Sequence, residues 1–355
     1  MQRFSRSSWG VLAVAALALA AVLSAATEGA VSGPVLGYLF DQQQLVLRPI
    51  LGVPGASHIA EGLPLNVQLA MAEVAPGQQY ALGVDTDGGL VWIDLRGETP
   101  QSRPVSVGVS TVSRVLISPT GQAAAVYDRR ARQVQFLSGM LTQPTAGATV
   151  SLADLQGLLT ALAVSDDART LLAATATRDA GGSLYGVTAS GEVRGLGSVG
   201  RALALAFLPA QDNALVADHD RSEVLRINGV SNGGGATVLA SGRDGVQKPM
   251  AVFADVNQSK AVVALAESGR LAMIPLGGGA PQFLDCSCRP QELSALRGNS
   301  LLRLSSDPRR PIYVLEGAHL ASDGASVDPR IVFVPANPGE EAAQSAAPPR
   351  PTVAR

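Results

Sequence analysis

Lysine is nearly absent from this chain: Lys248 and Lys260 are the only two in 355 residues. Arginine supplies the rest of the 27 basic residues, and 29 acidic ones leave a net charge of −2. A chain without a basic excess lacks the electrostatic footprint of nucleic-acid binding. Cysteine is scarce too. Cys286-Ser287-Cys288 holds both, and CxC with no third or fourth ligand is a weak metal signal. Three histidines, His58, His219 and His319, show no HxH or HxxxH spacing. There is no GxSxG, no Walker loop and no GxGxxG opening a helix, so neither a serine nucleophile nor a nucleotide cradle is signalled. Charged residues make up only 16% and hydrophobic ones 46%. That composition suits a large buried core and not a disordered chain. Past the first 26 residues no apolar stretch approaches the ~20 residues of a membrane-spanning helix. No long stretch carries a period of 3.6, which argues against an α fold.

The two ends differ from the middle. Arg3 and Arg6 precede an unbroken apolar run, Val11 to Leu23, and Ser24-Ala25-Ala26 places small residues at a cleavage site after Ala26. This pattern predicts a secretory signal peptide over residues 1–26, and so a protein exported to the periplasm or beyond the cell. An uncleaved anchor is the competing reading, but the run is short for a span. No cysteine near the cleavage point supports a lipid anchor. At the other end, residues 336–355 read ANPGEEAAQSAAPPRPTVAR, a Pro/Ala-rich stretch without apolar period that is expected to be disordered. The single folded domain is expected over 27–335.

Between these ends one unit recurs. LISPTGQAAAVYDRRARQVQFL, at 116–137, runs apolar strand, turn, apolar strand, turn, strand. The same order appears in MAEVAPGQQYALGVDTDGGLVWIDL, in LTALAVSDDARTLLAATATRDAGGSLYGVT and in LALAFLPAQDNALVADHDRSEVLRI. It appears again in MAVFADVNQSKAVVALAESGRLAMIPL and, more loosely, in LSALRGNSLLRLSSDPRRPIYVLEG. Ala75, Ser118, Ser165, Leu208, Ala254 and Leu296 mark equivalent places, spaced 42 to 47 residues apart. That period, with several short strands per unit, is the signature of β-propeller blades. The second runs, such as AAAVYD, ALVAD and AVVALA, are apolar throughout, as strands covered on both faces should be. Third runs such as LVWID and EVLRI are expected to alternate nearer the rim. The one helix-like patch, SLADLQGLLTALAV, reads as an outer strand leading to the next inner one. VLGYLFDQQQLVLRPILG at 35–52 supplies a partial unit without an innermost strand, and Arg330 to Pro335 supplies a last strand. The prediction is an all-β, seven-bladed propeller whose ring is closed by N- and C-terminal strands, with six blades as the alternative. The pattern SPTG…AAVYD…VQFL resembles the repeats of bacterial exported propellers of the YVTN and NHL type, including lactonase-like members. That resemblance implies the fold. It leaves function open, because those families hold enzymes, binding modules and scaffolds.

Three constellations are candidates for chemistry. Asp41, Asp85, Asp128 and Asp218 each follow the second strand of a unit, and Glu267 falls at the same place in another. These turns should share one face, so they could form a binding rim for a calcium ion or a basic partner. Asp179, Asp87 and Asp220 lie close by. The alternative is local turn chemistry, in which Asp bonds the backbone two residues on. Asp218-His219-Asp220 places a histidine between carboxylates, which suits a general base, a metal ligand or a solvated turn. Cys286 and Cys288 could form a local disulfide, a metal-binding or redox pair, or remain thiols. On an extended strand residues i and i+2 lie about 6.5–7 Å apart, so a bridge needs a turn or bulge. Lactonase-like members hold a metal with acidic and amide ligands at the central channel. Here only Glu73 and Asp255 are expected near it, too few for a calcium shell. The reading that results is an exported, non-catalytic binding module for a protein or small ligand on one face, with no catalytic residues and no cofactor assigned. A metal-dependent lactonase-like hydrolase and a structural envelope scaffold are the alternatives.

Overall fold

A computed structural model describes residues 33–178, 181–255, 257–297, 301–317 and 328–336. The predicted signal peptide, Asp179, His319 and the predicted tail from residue 337 lie outside them. Every strand among the described residues lies within Pro34–Arg355.

Seven antiparallel sheets follow one another along the chain, each built from one continuous segment. Blade 1 holds β1 (Val35–Asp41), β2 (Val46–Val53) and β3 (Ala56–Ile59). Blade 2 holds β4 (Leu69–Val74), β5 (Tyr80–Asp85), β6 (Leu90–Asp94) and β7 (Gln101–Val105). Blade 3 holds β8 (Arg114–Ile117), β9 (Ala124–Asp128), β10 (Gln133–Ser138) and β11 (Thr145–Ser151). Blade 4 holds β12 (Leu158–Val164), β13 (Thr170–Ala176), β14 (Gly182–Thr188) and β15 (Val193–Val199). Blade 5 holds β16 (Ala202–Phe207), β17 (Ala214–Asp218), β18 (Glu223–Ile227) and β19 (Ala236–Ser241). Blade 6 holds β20 (Ala251–Ala254), β21 (Lys260–Leu265), β22 (Arg270–Pro275) and β23 (Gln282–Asp285). Blade 7 holds β24 (Ser294–Ala295), β25 (Leu301–Arg303), β26 (Ile312–Glu316) and β27 (Arg330–Val334). The fold is a seven-bladed β-propeller, and the stretch at 293–335 is one blade of its own. Among the described residues helix is confined to two single 3₁₀ turns, Val230–Asn232 and Gly242–Asp244.

Why the second strands are apolar throughout is visible in the packing. Alternate residues of a strand face opposite ways, and here both ways lead into a neighbouring blade. Ala124 and Val126 of β9 pack with Trp92 and Leu82 of blade 2. Ala125 and Tyr127 of the same strand pack with Leu171 and Val187 of blade 4. The core is thus seven slabs, one at each blade interface. The slab between blades 7 and 1 joins Leu36, Leu39 and Ile50 to Leu296, Ile312 and Val314. Each fully buried Leu or Ile in such a slab is worth about 1.5–3 kcal/mol of transfer free energy.

The third strands differ from expectation. β6 and β10 are covered on both faces, because adjacent blades still flank them, as blades 1 and 3 flank β6, and a fourth strand beyond them in the sheet takes the rim. β7, β11 and β19 carry the exposure instead. The helix-like patch resolves as β11, a turn and β12.

Ring closure uses no mixed sheet. β27 pairs with β26 alone, and β1 has no inner neighbour strand. Gln78, 1% exposed, fills that place with its side chain. Its Oε1 accepts from the Tyr38 N–H of blade 1 at 2.8 Å. Its Nε2 donates to the carbonyls of Ala75, at 3.2 Å, and Ala295 of blade 7, at 2.7 Å. Arg297 N–H reaches the Leu36 carbonyl at 2.8 Å. Gly37 makes room here, since a Cβ would lie 2.5 Å from Leu296 Cδ2 and 3.0 Å from Gln78 Oε1 and would push both side chains aside. The N- and C-terminal segments therefore meet and close the ring by packing, by the Gln78 amide and by the Arg297–Leu36 backbone bond.

Candidate functional site

Because every blade is traversed from inside out, turns between first and second strands share one face with those between third and fourth. Turns between second and third strands, and the crossovers between blades, share the other. Asp41, Asp85, Asp128, Asp218 and Glu267 all fall on this second face.

Most of these carboxylates are occupied by backbone. Asp41 Oδ1 accepts from the Gln43 and Gln44 N–H groups at 3.0 and 3.1 Å, and Oδ2 sits 3.1 Å from Arg48 Nε. Asp85 Oδ1 accepts from Asp87 and Gly89. Asp128, 1% exposed, accepts from Arg130 and Ala131 within its turn and from Thr111 in the preceding crossover. Those bonds, the Ala131 N–H first, hold its carboxyl below the usual range. Asp218, fully buried, accepts from Arg221 N–H and from Gly200 N–H in the crossover before its blade. Each Asp thus closes its own turn, and Asp128 and Asp218 also tether a crossover. The turn chemistry is explicit in the backbone: Leu45, Arg132 and Ser222, four residues after Asp41, Asp128 and Asp218, adopt positive φ.

His219 and Glu267 stand apart. His219 is 9% exposed, and its Nδ1 lies 3.0 Å from Asp220 Oδ1. That bond is the main reason the Asp220 carboxyl sits below its ordinary value. His219 Nε2 is 4.0 Å from Glu267 Oε1, across the boundary between blades 5 and 6. Glu267 is exposed and forms one wall of a groove of about 990 Å³ between blades 6 and 7. The groove also displays Arg289, Glu292, Asp307, Arg310 and Tyr313. Two of its acids are already engaged. Glu292 Oε1 lies 3.0 Å from Arg303 Nε, and Asp307 takes Arg309 Nε at 2.9 Å. The Arg309 pairing keeps the Asp307 carboxyl low. Cys286 and Cys288 form a disulfide in the groove wall, with Cα atoms 4.9 Å apart. The chain has left β23 before Cys286, and this bend brings the pair inside the bridging range.

The central channel is a second, smaller space of about 320 Å³, bounded by the inner strands of blades 2 to 7. Glu73 and Arg114 are the two charged residues in its lining, among Leu116, Val252, Phe253 and other apolar neighbours. Glu73 is open to the channel yet enclosed by protein. This enclosure is the largest influence on its carboxyl pKa, which is raised; the nearby Glu292 adds to the rise, while Arg303 and Arg114 oppose it. Asp255 does not join it there: fully buried, it accepts from the Ser259 and Lys260 N–H groups and from Ser259 Oγ. One carboxylate with Ser118 and Ser294 does not fit a calcium shell of about six to eight oxygens. Among the described residues no group of three or more His, Cys, Asp or Glu is placed to hold a metal. No helix among them is long and apolar enough to cross a membrane.

No family model matches the chain, and no curated protein matches it. Solved structures do. A functionally unknown protein from Desulfotomaculum acetoxidans DSM 771 aligns with a TM-score of 0.56 at 15% identity, over 86% of this chain and 100% of that one. Kuenenia stuttgartiensis hydrazine synthase aligns with a TM-score of 0.52 at 12% identity, over 88% of this chain and 100% of that one. At such identities the likeness is one of fold, and it places the chain among β-propellers.

Proposed function

We propose that this chain is an exported, non-catalytic binding module that takes a protein or small ligand in the groove between blades 6 and 7. The observation that carries the reading is the groove itself. Second-to-third-strand turns of both blades and the crossover between them converge there with cations, acids and one aromatic side chain. Mixed charge around an open space is suited to a polar partner. The rim residues Asp41, Asp85, Asp128 and Asp218 serve as the rigid frame of that face, and His219 and Glu267 extend it toward blade 5. Export rests on the N-terminal pattern of residues 1–26. No resident cofactor is assigned. The test is a thermal-shift screen of charged peptides and sugars against the wild-type chain and an Arg289→Glu, Arg310→Glu double variant. A ligand of the groove shifts the melting of the first and not of the second. A ligand that shifts both equally places the site elsewhere.

One observation favours a second reading, a hydrolase acting in the central channel. Glu73 is a carboxyl whose pKa is raised, chiefly by burial, in a channel it shares with Arg114 and mainly apolar side chains, an environment suited to a general acid or base. Hydrolysis of lactones or sugar esters that Glu73→Gln abolishes would establish that reading and displace the first.

A further inference from the structure

We infer that the Cys286–Cys288 disulfide is a thiol-exchange centre, whose outer sulfur, Cys288 Sγ, accepts a thiolate from a protein docked in the groove between blades 6 and 7. Four features of the bridge carry this. It spans a single intervening residue and ties no two strands together, so it removes little freedom from the unfolded chain. The segment is already fixed without it, since the Cys286 N–H donates to the Gly269 carbonyl at 2.8 Å. The two cysteines differ in access: Cys286 is 8% exposed and belongs to the cluster of Leu302, Leu304 and Leu315, whereas Cys288 packs on the edge of that cluster, is partly exposed and lines the groove. Gly269, opposite the pair, presents no side chain; a Cβ there would approach the Cys288 and Cys286 carbonyls at 3.1 and 3.2 Å.

The charge around the site suits the same chemistry. Arg289 follows Cys288 directly, and Arg310 enters the groove from blade 7. Of the three groove acids, Glu292 is paired with Arg303 and Asp307 with Arg309 and Arg310, while Glu267 stands exposed in the wall. A guanidinium next to the cysteine favours thiolate over thiol.

The exchange balances within thiol chemistry. The incoming thiolate attacks Cys288 Sγ, a mixed disulfide forms, and Cys286 leaves as thiolate and takes up a proton. A second thiol on the partner then loses its proton and attacks the mixed bond at the partner's own sulfur. The partner leaves as a disulfide, oxidised by two electrons, and Cys286 and Cys288 remain as dithiols, reduced by two. The reverse sequence returns the bridge. The inference adds a reaction to the groove and stands whether or not the groove also holds another ligand.

The experiment uses the folded full chain in reduced and oxidised glutathione mixtures, with free thiols captured by alkylation and located by peptide mass. The expected result is reversible reduction of the bridge without unfolding, with Cys288 found as the glutathione adduct. Cys286→Ser should form that adduct at least tenfold faster than Cys288→Ser does at Cys286. Both variants are followed by circular dichroism. Where either fails to fold, the adduct position on the wild-type chain decides alone. A bridge that glutathione opens only after denaturation overturns the proposal. So do adducts on Cys286, or equal rates in the two variants.

Discussion

The two faces of this propeller are held in different ways. On the face of the first-to-second-strand turns, side chains lace one blade to the next. Tyr80 Oη donates to the Gly121 carbonyl at 2.8 Å, joining blades 2 and 3. Asp166 of blade 4 takes Thr120 N–H and Oγ1 of blade 3 at 2.9 and 2.6 Å, and Ala210 N–H of blade 5 at 2.7 Å. Gln258 Nε2 of blade 6 donates to Pro209 of blade 5 at 2.7 Å, and Gln78 joins blades 2, 7 and 1. On the opposite face the recurring theme is local: each Asp closes its own turn, Asp128 and Asp218 add a bond to the crossover just before their blade, and the groove opens between blades 6 and 7. The comparison teaches that one face fixes the ring while the other is free to carry loops of different shape, which is where binding surfaces belong.

Substitutions can break this contrast. Gln78→Ala strikes the laced face at the seam and leaves the Tyr38 N–H and the Ala295 carbonyl unpaired in a buried site. The expected loss is about 3 kcal/mol, read by denaturant unfolding, with amide exchange rising in both β1 and β24. Exchange confined to blade 2 would show that the seam does not depend on Gln78. Asp166→Ala should cost about 2 kcal/mol and loosen the turns of blades 3 and 5 together. An effect limited to blade 4 would erase the distinction between the faces.

Asp128→Asn tests the local face and should be milder. The native carboxyl titrates below its unfolded value of about 3.9. Its contribution is therefore present above that pH and lost as pH falls through it toward the lowered native value. The Asn variant should unfold at the same acidic pH or a higher one, with a shallower acid limb, and amide exchange should change only around 110–131. A slope identical to wild type would remove Asp128 from the acid response. The smallest effect is a gain. Leu45 holds a φ of 56° in the turn after Asp41. Leu45→Gly should raise stability by about 0.5 kcal/mol, seen as a small upward shift in melting temperature; a loss would mean that the side chain contributes packing larger than the strain.

How far the sequence revealed this depends on whether the signal was local. The period of the turns and the continuous apolar runs exposed the blades, because a strand squeezed between two neighbours must be apolar on both sides. The partial first unit was equally readable, since VLGYLFD matches a second strand and nothing before it matches a first. The Asp turns were visible, and their backbone bonds follow from spacing. The closure by Gln78 was not, because its partners lie 40 and 217 residues away. Nor was the groove, whose Arg289, Glu292 and Asp307 sit in loops without pattern. The burial of the third strands was hidden for a related reason: the fourth strands are exposed and weakly patterned, so the strand that forms the rim beyond the third leaves little trace.

One consequence of building every blade from a single uninterrupted segment concerns time. Nearly all contacts form between stretches that emerge next to each other during synthesis, so blades can assemble in order as the chain appears. The exceptions lie at the seam between blades 7 and 1: the bond from Gln78 to Ala295, which spans 217 residues, the bond from Arg297 to Leu36, and the slab they border. Nothing can shut the ring before the last blade exists, and until then the apolar flank of blade 1, with Leu36, Leu39 and Ile50, waits uncovered. The most vulnerable moment in the life of this protein falls just before its final forty residues of fold arrive, and Gln78 is the latch that ends it.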